Sequence, residues 1–294
     1  MLAHRGPDDS AMWIDPSRQM FLGFRRLSIV DHAGGAQPML DNTKTVALVF
    51  NGEIYNHREL RRDLEARGAV FRSNHSDTEV ILQGYLHFGM DVVSKLNGMF
   101  AFAILDRRRR RLFLARDRFG EKPLFFGRME GGQFSFASEI TPLSTFSPSF
   151  SRPMIAKFLA YGNLPAPHTF YTNLRKVRPG STVSVDLDSL QWSEQTYWDC
   201  RVKKGGAPAG GARQWAKDIR EILYDSVERR MEADVSLGYL LSGGVDSAAV
   251  VTAARSFSGG SAPLMTFTAG FEEASFDERG PAREVARALG TRHF

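Results

Sequence analysis

Hydrophobic and polar positions follow two different rhythms along the chain. Residues 45–50 (TVALVF) are a short apolar, β-branched run that predicts a strand, and Asn51-Gly52 predicts its end. Asn56 then stands as a helix N-cap, with Glu59 as its capping-box partner, Leu60 and Leu64 as an apolar edge, and Gly68 as the stop. Ser76-Asp77-Thr78-Glu79 is a second capping box, ahead of Val80, Ile81, Leu82, Tyr85 and Leu86, with Gly89 closing that helix. Further strands are predicted at 99–105, 112–115, 124–126 and 134–137. Short strands with tight connections imply antiparallel sheets, and two helices beside them imply a layered α+β domain.

The rhythm changes at 202–211, a Lys-, Gly- and Pro-rich stretch with linker composition. Trp215, Ile219, Ile222, Leu223 and Val227 then recur at helical spacing. A buried strand is predicted at 236–241, a helix from Asp246, a second strand at 264–271, and a helix opened by Pro281 and closed by Gly290. Strand, helix, strand, helix is the pattern of a parallel α/β domain. Two strands are too few for a self-sufficient doubly wound sheet, so this domain is expected to be cut short.

Composition narrows the classes. The 294 residues suit about two domains, and no apolar run approaches the roughly 18–20 residues of a membrane span. The first residues, MLAHRGPDD, hold no signal core. One cysteine, Cys200, excludes an internal disulfide, and a cytoplasmic setting is expected. The 38 Lys and Arg against 33 Asp and Glu leave a formal charge of +5. The run Arg107–Arg111 lacks interleaved aromatics and predicts a solvated turn, not a nucleic-acid patch.

Two regions carry candidate chemistry. Ser242-Gly243-Gly244-Val245-Asp246-Ser247 links a predicted strand to a predicted helix. Its glycines, hydroxyls and helix N-terminus suit an anion, and Asp246 beside a phosphate calls for a divalent metal between them. It is not a Walker A loop, because no Gly-Lys-Ser/Thr follows. In the first half, the Asn51 amide and Gly52 N–H could form an oxyanion hole, Arg26 could hold a carboxylate, and Glu53 and Asp77 an ammonium. Such a set suits a free amino acid with an amide side chain. The plain alternatives are a dipole-complementing Asp77, an ion-paired Arg26 and a solvated loop acid at Glu53.

The loop at 242–247 resembles the pyrophosphate-binding loop of the ATP pyrophosphatase (PP-loop) superfamily. The ordered motifs HRGPDD, RRLSIVD, QPM, NGEIYNH, SDTEVI, GMFAFAILD, ARDRFGEKPLF and ASEI resemble the glutaminase domain of glutamine-hydrolysing asparagine synthetases, which are class II glutamine amidotransferases. LMTFTAGFEEASFDERGPAREVARALGTRH resembles the start of that family's synthetase domain. The resemblance implies an N-terminal-nucleophile αββα sandwich over 1–201, a linker at 202–211, and the start of a PP-loop domain with a parallel sheet over 212–294. It implies glutamine hydrolysis, ammonia passage to a second site, and conversion of ATP-adenylated aspartate to asparagine with AMP and pyrophosphate as products. Glutamine, aspartate, ATP and Mg²⁺ are then the ligands; a homodimer is allowed, and no nucleic acid or membrane partner is expected. Carried over by position, Arg26, Ile29, Val30, Asn51, Gly52, Glu53 and Asp77 bind glutamine, with Asn51 and Gly52 as the oxyanion hole. Leu241, Ser242, Gly243, Gly244, Asp246, Ser247, Thr266, Phe267 and Thr268 bind ATP, and Asp246 the metal.

The sequence departs from that family at both ends. The family's nucleophile is a terminal cysteine exposed by Met removal, whereas residue 2 here is Leu2 and the RGPD cluster starts at once. Cys200 lies near the linker and matches an ordinary position. The expectation is therefore a chain lacking the cysteine segment with its first strand, and the later synthetase part: a fragment, a mis-started gene or a degenerate copy. A catalytically dead binding or interaction protein on the same scaffold is the competing class. Within enzymes, the competitor is a relative that amidates or cyclises another carboxylate.

Overall fold

The computed structural model describes residues 1–17, 19–27, 34–145, 149–202, 205, 210–259 and 263–294, and element counts refer to these. The chain divides into two compact units, Met1–Arg201 and Val202–Phe294.

The first unit opens with an antiparallel hairpin of β1 (Asp9–Ile14) and β2 (Phe21–Arg26). Next come β3 (Met39–Leu40), β4 (Val46–Ile54), α1 (His57–Ala66), α2 (Asp77–Phe88) and the short α3 (Val92–Lys95). The remainder is β5 (Gly98–Asp106), β6 (Arg111–Arg116), β7 (Phe125–Arg128), β8 (Phe134–Ala137), α4 (Thr141–Ser144), α5 (Arg152–Tyr161), β9 (Leu174–Lys176), β10 (Ser181–Asp186) and β11 (Trp192–Thr196). Six strands form one sheet in the order β11-β10-β6-β5-β4-β3, and three form another in the order β8-β7-β9. Every pairing in both is antiparallel.

The central strands are apolar on both faces because both faces are covered. Val46, Leu48 and Phe50 of β4, with Phe100, Phe102 and Ile104 of β5, pack against Leu60 and Leu64 of α1 and Val80, Ile81 and Tyr85 of α2. The alternate residues Ala47, Val49, Ala101, Ala103 and Leu105 pack toward Leu124, Phe126, Phe134 and Phe136 of the second sheet. Beyond that sheet, Leu143 of α4 joins Phe125 and Leu174 in a small cluster. The layers are thus helix, sheet, sheet and a one-turn outer helix, with α5 burying no residue. The expected sandwich is present, its fourth layer slight.

Several local expectations change. Asn51-Gly52 does not end β4: the strand continues to Ile54, because Gly52, Glu53 and Ile54 stay paired with Phe100, Met99 and Gly98. Asn56 does not cap α1. Its Nδ2 donates to the Lys95 carbonyl (2.9 Å) and its Oδ1 accepts from Asn97 N–H (2.8 Å), tying the strand-to-helix link to the approach to β5. Ser76 does cap α2, accepting from Glu79 N–H at 3.4 Å. The Glu79 carboxylate turns instead to the N–H groups of Arg72 (2.8 Å) and Ser73 (2.7 Å). The arginine run is a surface turn between β5 and β6, where Arg110 pairs with Asp188.

The second unit holds α6 (Gly211–Arg229), β12 (Gly238–Leu240), α7 (Val245–Phe257), β13 (Met265–Phe267), α8 (Arg279–Leu289) and β14 (Arg292–His293). Its strands form a parallel sheet in the order β12-β13-β14. The two predicted strands are shorter than expected, and β14 is a third that the apolar pattern did not announce. Helix α8 begins at Arg279, two residues before Pro281, and ends at Gly290, whose φ of 62° is the left-handed value a glycine accepts freely. Leu241, Val251, Ala282 and Ala286 make one core cluster; Val227, Ala253 and Ala254 make another.

Candidate functional site

A cavity of about 330 Å³ opens in the first unit, on the side of the large sheet that faces the second sheet. Small side chains make the room: Ala101 and Ala103 of β5 and Val49 of β4 line it. Its polar lining comes from distant parts of the chain. Arg26 arrives at the end of β2, Asn51, Gly52 and Glu53 in the second half of β4, Asp77 and Thr78 in the first turn of α2, and Lys122 from the loop before β7. All five residues that sequence reasoning grouped as amino-acid ligands therefore border one cavity. Ile29 and Val30 lie outside the described residues.

Each wall is braced. Asp77, buried, accepts Ile54 N–H at 3.1 Å, which fixes the start of α2 to the end of β4. Burial pushes its carboxyl above the usual carboxylate range, against the opposing pull of the Ile54 N–H and the nearby His57. Gln37, also buried, accepts Phe50 N–H at 2.6 Å and donates to Thr78 Oγ1 at 3.4 Å, a second tie between the same elements. At Gly52 a Cβ would overlap the Met99 carbonyl and the Phe100 Cα, so no side chain fits between β4 and β5 there. Arg26 is only 8% exposed. Its carbonyl accepts Asp8 N–H at 3.0 Å, and Gly6 lies against the Arg25–Arg26 peptide too closely for a Cβ.

The loop that presents Lys122 is held by its own charges. Asp117 is 1% exposed and accepts backbone N–H groups of Phe100 (3.2 Å), Phe119 (3.1 Å), Glu121 (2.9 Å) and Lys122 (3.0 Å). Arg116 donates to the carbonyls of Lys122 (2.7 Å), Gly120 (2.7 Å) and Val177 (2.8 Å). Next to Ser138, the Glu139 carboxylate meets His4 Nε2 (3.0 Å) and accepts from Arg5 (3.2 Å), and the hydrogen bond with His4, then that with Arg5, holds its carboxyl below the usual range. Gln37, Lys122 and Ser138 were missed as lining residues. They sit inside QPM, GEKPLF and the start of ASEI, motifs that carry no catalytic signature of their own.

In the second unit, Gly244 is the N-cap of α7 and Asp246 lies exposed in its first turn. The Ser242 and Ser247 hydroxyls meet at 2.8 Å, Ser247 Oγ accepts Ser242 N–H at 3.1 Å, and Ser242 Oγ accepts Gly244 N–H at 3.2 Å. A Cβ on Gly243 would collide with Pro281. Leu241 N–H bonds to the Phe267 carbonyl (2.9 Å), and the Thr268 hydroxyl donates back to the Leu241 carbonyl. Thr266 is fully buried, its hydroxyl engaged by Thr291 (2.8 Å) and His293 Nδ1 (3.0 Å). A narrow glycine loop, two hydroxyls and a helix N-terminus fit a pyrophosphate. One carboxylate fits Mg²⁺, which takes one or two carboxylates plus phosphate oxygens. Among the described residues no cluster of three His, Cys, Asp or Glu could hold a metal by itself.

The first unit thus packs a six-stranded and a three-stranded antiparallel sheet around a cavity bordered by charged and apolar groups, and the second holds a parallel sheet whose first strand leads through the 242–247 loop into α7. Residues 1–198 match the glutamine amidotransferase domain family, and the chain belongs to it. Residues 218–294 match the asparagine synthase family. The chain is 38% identical to asparagine synthetase [glutamine-hydrolyzing] 1 of Bacillus subtilis (strain 168), over 99% of its length and 44% of the relative's. It is 34% identical to asparagine synthetase [glutamine-hydrolyzing] 3 of the same organism, over 99% of its length and 49% of the relative's. The chain spans about half the length of these curated relatives. A solved glutamine phosphoribosylpyrophosphate amidotransferase from B. subtilis aligns over 92% of this chain and 50% of its own, at TM-score 0.43 and 20% identity. No helix of the described residues is long and apolar enough to cross a membrane.

Proposed function

We propose that the cavity binds glutamine, as part of a protein that transfers the amide nitrogen of glutamine to an ATP-activated aspartate. The observation that carries the reading is the convergence of Arg26, Asn51, Gly52, Glu53 and Asp77 on one cavity. Arg26 takes the α-carboxylate, and Glu53 and Asp77 take the α-ammonium. With both ends of the amino acid fixed, the side-chain amide is directed to Asn51 and Gly52. Their N–H groups hold the negative charge that gathers on the amide oxygen when a nucleophile adds. No cysteine lines the cavity, and Cys200 is exposed. These residues therefore supply recognition and oxyanion stabilisation.

ATP with Mg²⁺ supplies the activation of the acceptor carboxylate. The chain's contribution is the loop 242–247, whose backbone N–H groups and hydroxyls grip the departing pyrophosphate, with Asp246 placed for the cation. The asparagine synthase match over residues 218–294 supports this half of the reading.

The test is calorimetric titration of glutamine into the chain and its Arg26→Ala variant. The variant should lose about 3–5 kcal/mol of binding, because a buried carboxylate is left without its cation. Equal affinity in both removes Arg26 from the site and the reading with it.

A further inference from the structure

The three parallel strands of the second unit run out at one edge, where Leu241, Thr268 and Phe294 follow β12, β13 and β14. The backbone sets the frame there. Leu241 N–H donates to the Phe267 carbonyl (2.9 Å), Thr268 N–H to the Phe294 carbonyl (3.0 Å) and Phe294 N–H to the Thr266 carbonyl (2.9 Å). Phe267 and Phe294 stack on one face, with ring centroids 5.1 Å apart. Side chains alternate along a strand, so Thr266 and Thr268 turn to the other face. The His293 ring bridges them, with Nδ1 3.0 Å from Thr266 Oγ1 and Nε2 3.5 Å from Thr268 Oγ1. The proton order follows from the far end. The Thr268 hydroxyl donates to the Leu241 carbonyl. Its oxygen can then only accept from His293, so Nε2 carries the ring proton. In the neutral ring Nδ1 is the acceptor and takes the Thr266 O–H, which leaves the Thr266 oxygen to Thr291 at 2.8 Å.

We propose that His293 is a positioning residue of the nucleotide site: it holds the Thr268 hydroxyl on the Leu241 carbonyl and so fixes how the 242–247 loop leaves the sheet. The proposal rests on the reading of that loop as a pyrophosphate grip. The Leu241 carbonyl and the Ser242 N–H belong to one planar peptide unit, so fixing one end fixes the other. Thr268 grips the carbonyl end, and Ser247 Oγ accepts the N–H end at 3.1 Å. A chain of bonds that starts on β14 therefore reaches the first N–H of the anion loop. The two ring nitrogens divide the work. Nδ1 serves the core, because Thr266 is fully buried and its hydroxyl needs a partner. Nε2 serves the site, because it orients the hydroxyl that holds the loop.

That division sets the experiment, which measures melting temperature and the affinity of a ribose-labelled fluorescent ATP analogue with Mg²⁺. The parent chain is compared with His293→Asn and His293→Gln. The Asn amide stands where Nδ1 does and reaches Thr266; the longer Gln amide stands where Nε2 does and reaches Thr268. His293→Asn should keep the melting temperature and bind the analogue about two- to tenfold more weakly, the range of one net hydrogen bond. His293→Gln should melt lower yet bind more tightly than His293→Asn. Thr268→Val should lose the same factor, and adding His293→Asn to it should cost nothing more, because the two act through one link. Parental affinity in His293→Asn overturns the proposal and leaves the loop reading standing. So do losses that simply follow melting temperature, or losses that add in the double variant. A parent that shows no Mg²⁺-dependent binding overturns the loop reading, and the proposal with it.

Discussion

The Asp77 carboxylate accepts the backbone N–H of Ile54 at 3.1 Å. That single bond joins the first turn of a helix to the last residue of a strand. It also fixes an acid that lines the cavity, so packing and the proposed recognition of glutamine meet at one residue.

Asp77→Asn separates the two roles. Burial raises the folded-state pKa of Asp77 above its unfolded value. The stability it contributes is therefore complete below the unfolded pKa and lost as pH rises through the folded pKa. Above the folded-state pKa the amide removes a buried charge and keeps an acceptor for Ile54 N–H. The variant should melt at or above the parent's temperature yet bind glutamine at least tenfold more weakly. A lower melting temperature with unchanged affinity would contradict both assignments.

Glutamine affinity should depend on acidity in the opposite sense. A protonated Asp77 cannot pair with an ammonium, so affinity falls as pH is lowered through the raised pKa. Calorimetry over a pH series reads this in the parent. The Asp77→Asn variant should show a flatter profile; the same slope in both would assign the titration to another group.

Gly52→Ala should destabilise the first unit by about 1–3 kcal/mol, the usual range for overpacking. The added methyl meets the backbone of Met99 and Phe100, which cannot step aside as a side-chain tip would. Chemical denaturation measures the effect, and an unshifted midpoint would mean that β4 and β5 separate there at little cost.

Asp117→Ala removes the common acceptor of four backbone N–H groups. A loss of at least ~3 kcal/mol is expected, since bonds to a charged acceptor are worth roughly 1.5–3 kcal/mol each and do not add fully. Asp117→Asn keeps one oxygen and should recover part of it. Equal stability of the alanine variant and the parent would show that water replaces the carboxylate in the loop.

Asp246→Asn is nearly isosteric at an exposed position and should leave the fold unchanged. Binding of a fluorescent ATP analogue should then lose its Mg²⁺ dependence. Equal stimulation by Mg²⁺ in parent and variant would remove Asp246 from the metal.

The sequence by itself determined the local structure. Ser76 is a cap wherever its helix lies, because it bonds to a neighbour three residues on. β8 lies where a strand was predicted, at Phe134–Ala137, and the 242–247 loop joins a strand to a helix as its glycines imply. The family's motifs were also legible, though RRLSIVD lies partly outside the described residues. Tertiary structure decided the rest. Asn51-Gly52 reads locally as a stop, yet β4 runs through it because the partner strand supplies hydrogen bonds as far as Gly98. Asn56 reads as a cap, yet its amide is drawn to Lys95 and Asn97, about forty positions away. The cavity itself has no local signature. It exists because Ala101 and Ala103 turn their small side chains to the space between two sheets, and because Gln37, Asp77 and Asp117 hold segments distant in sequence around it. Short-range bonds can be read along a chain; a shared space between layers depends on which distant segments pack together, and only the packed fold fixes that.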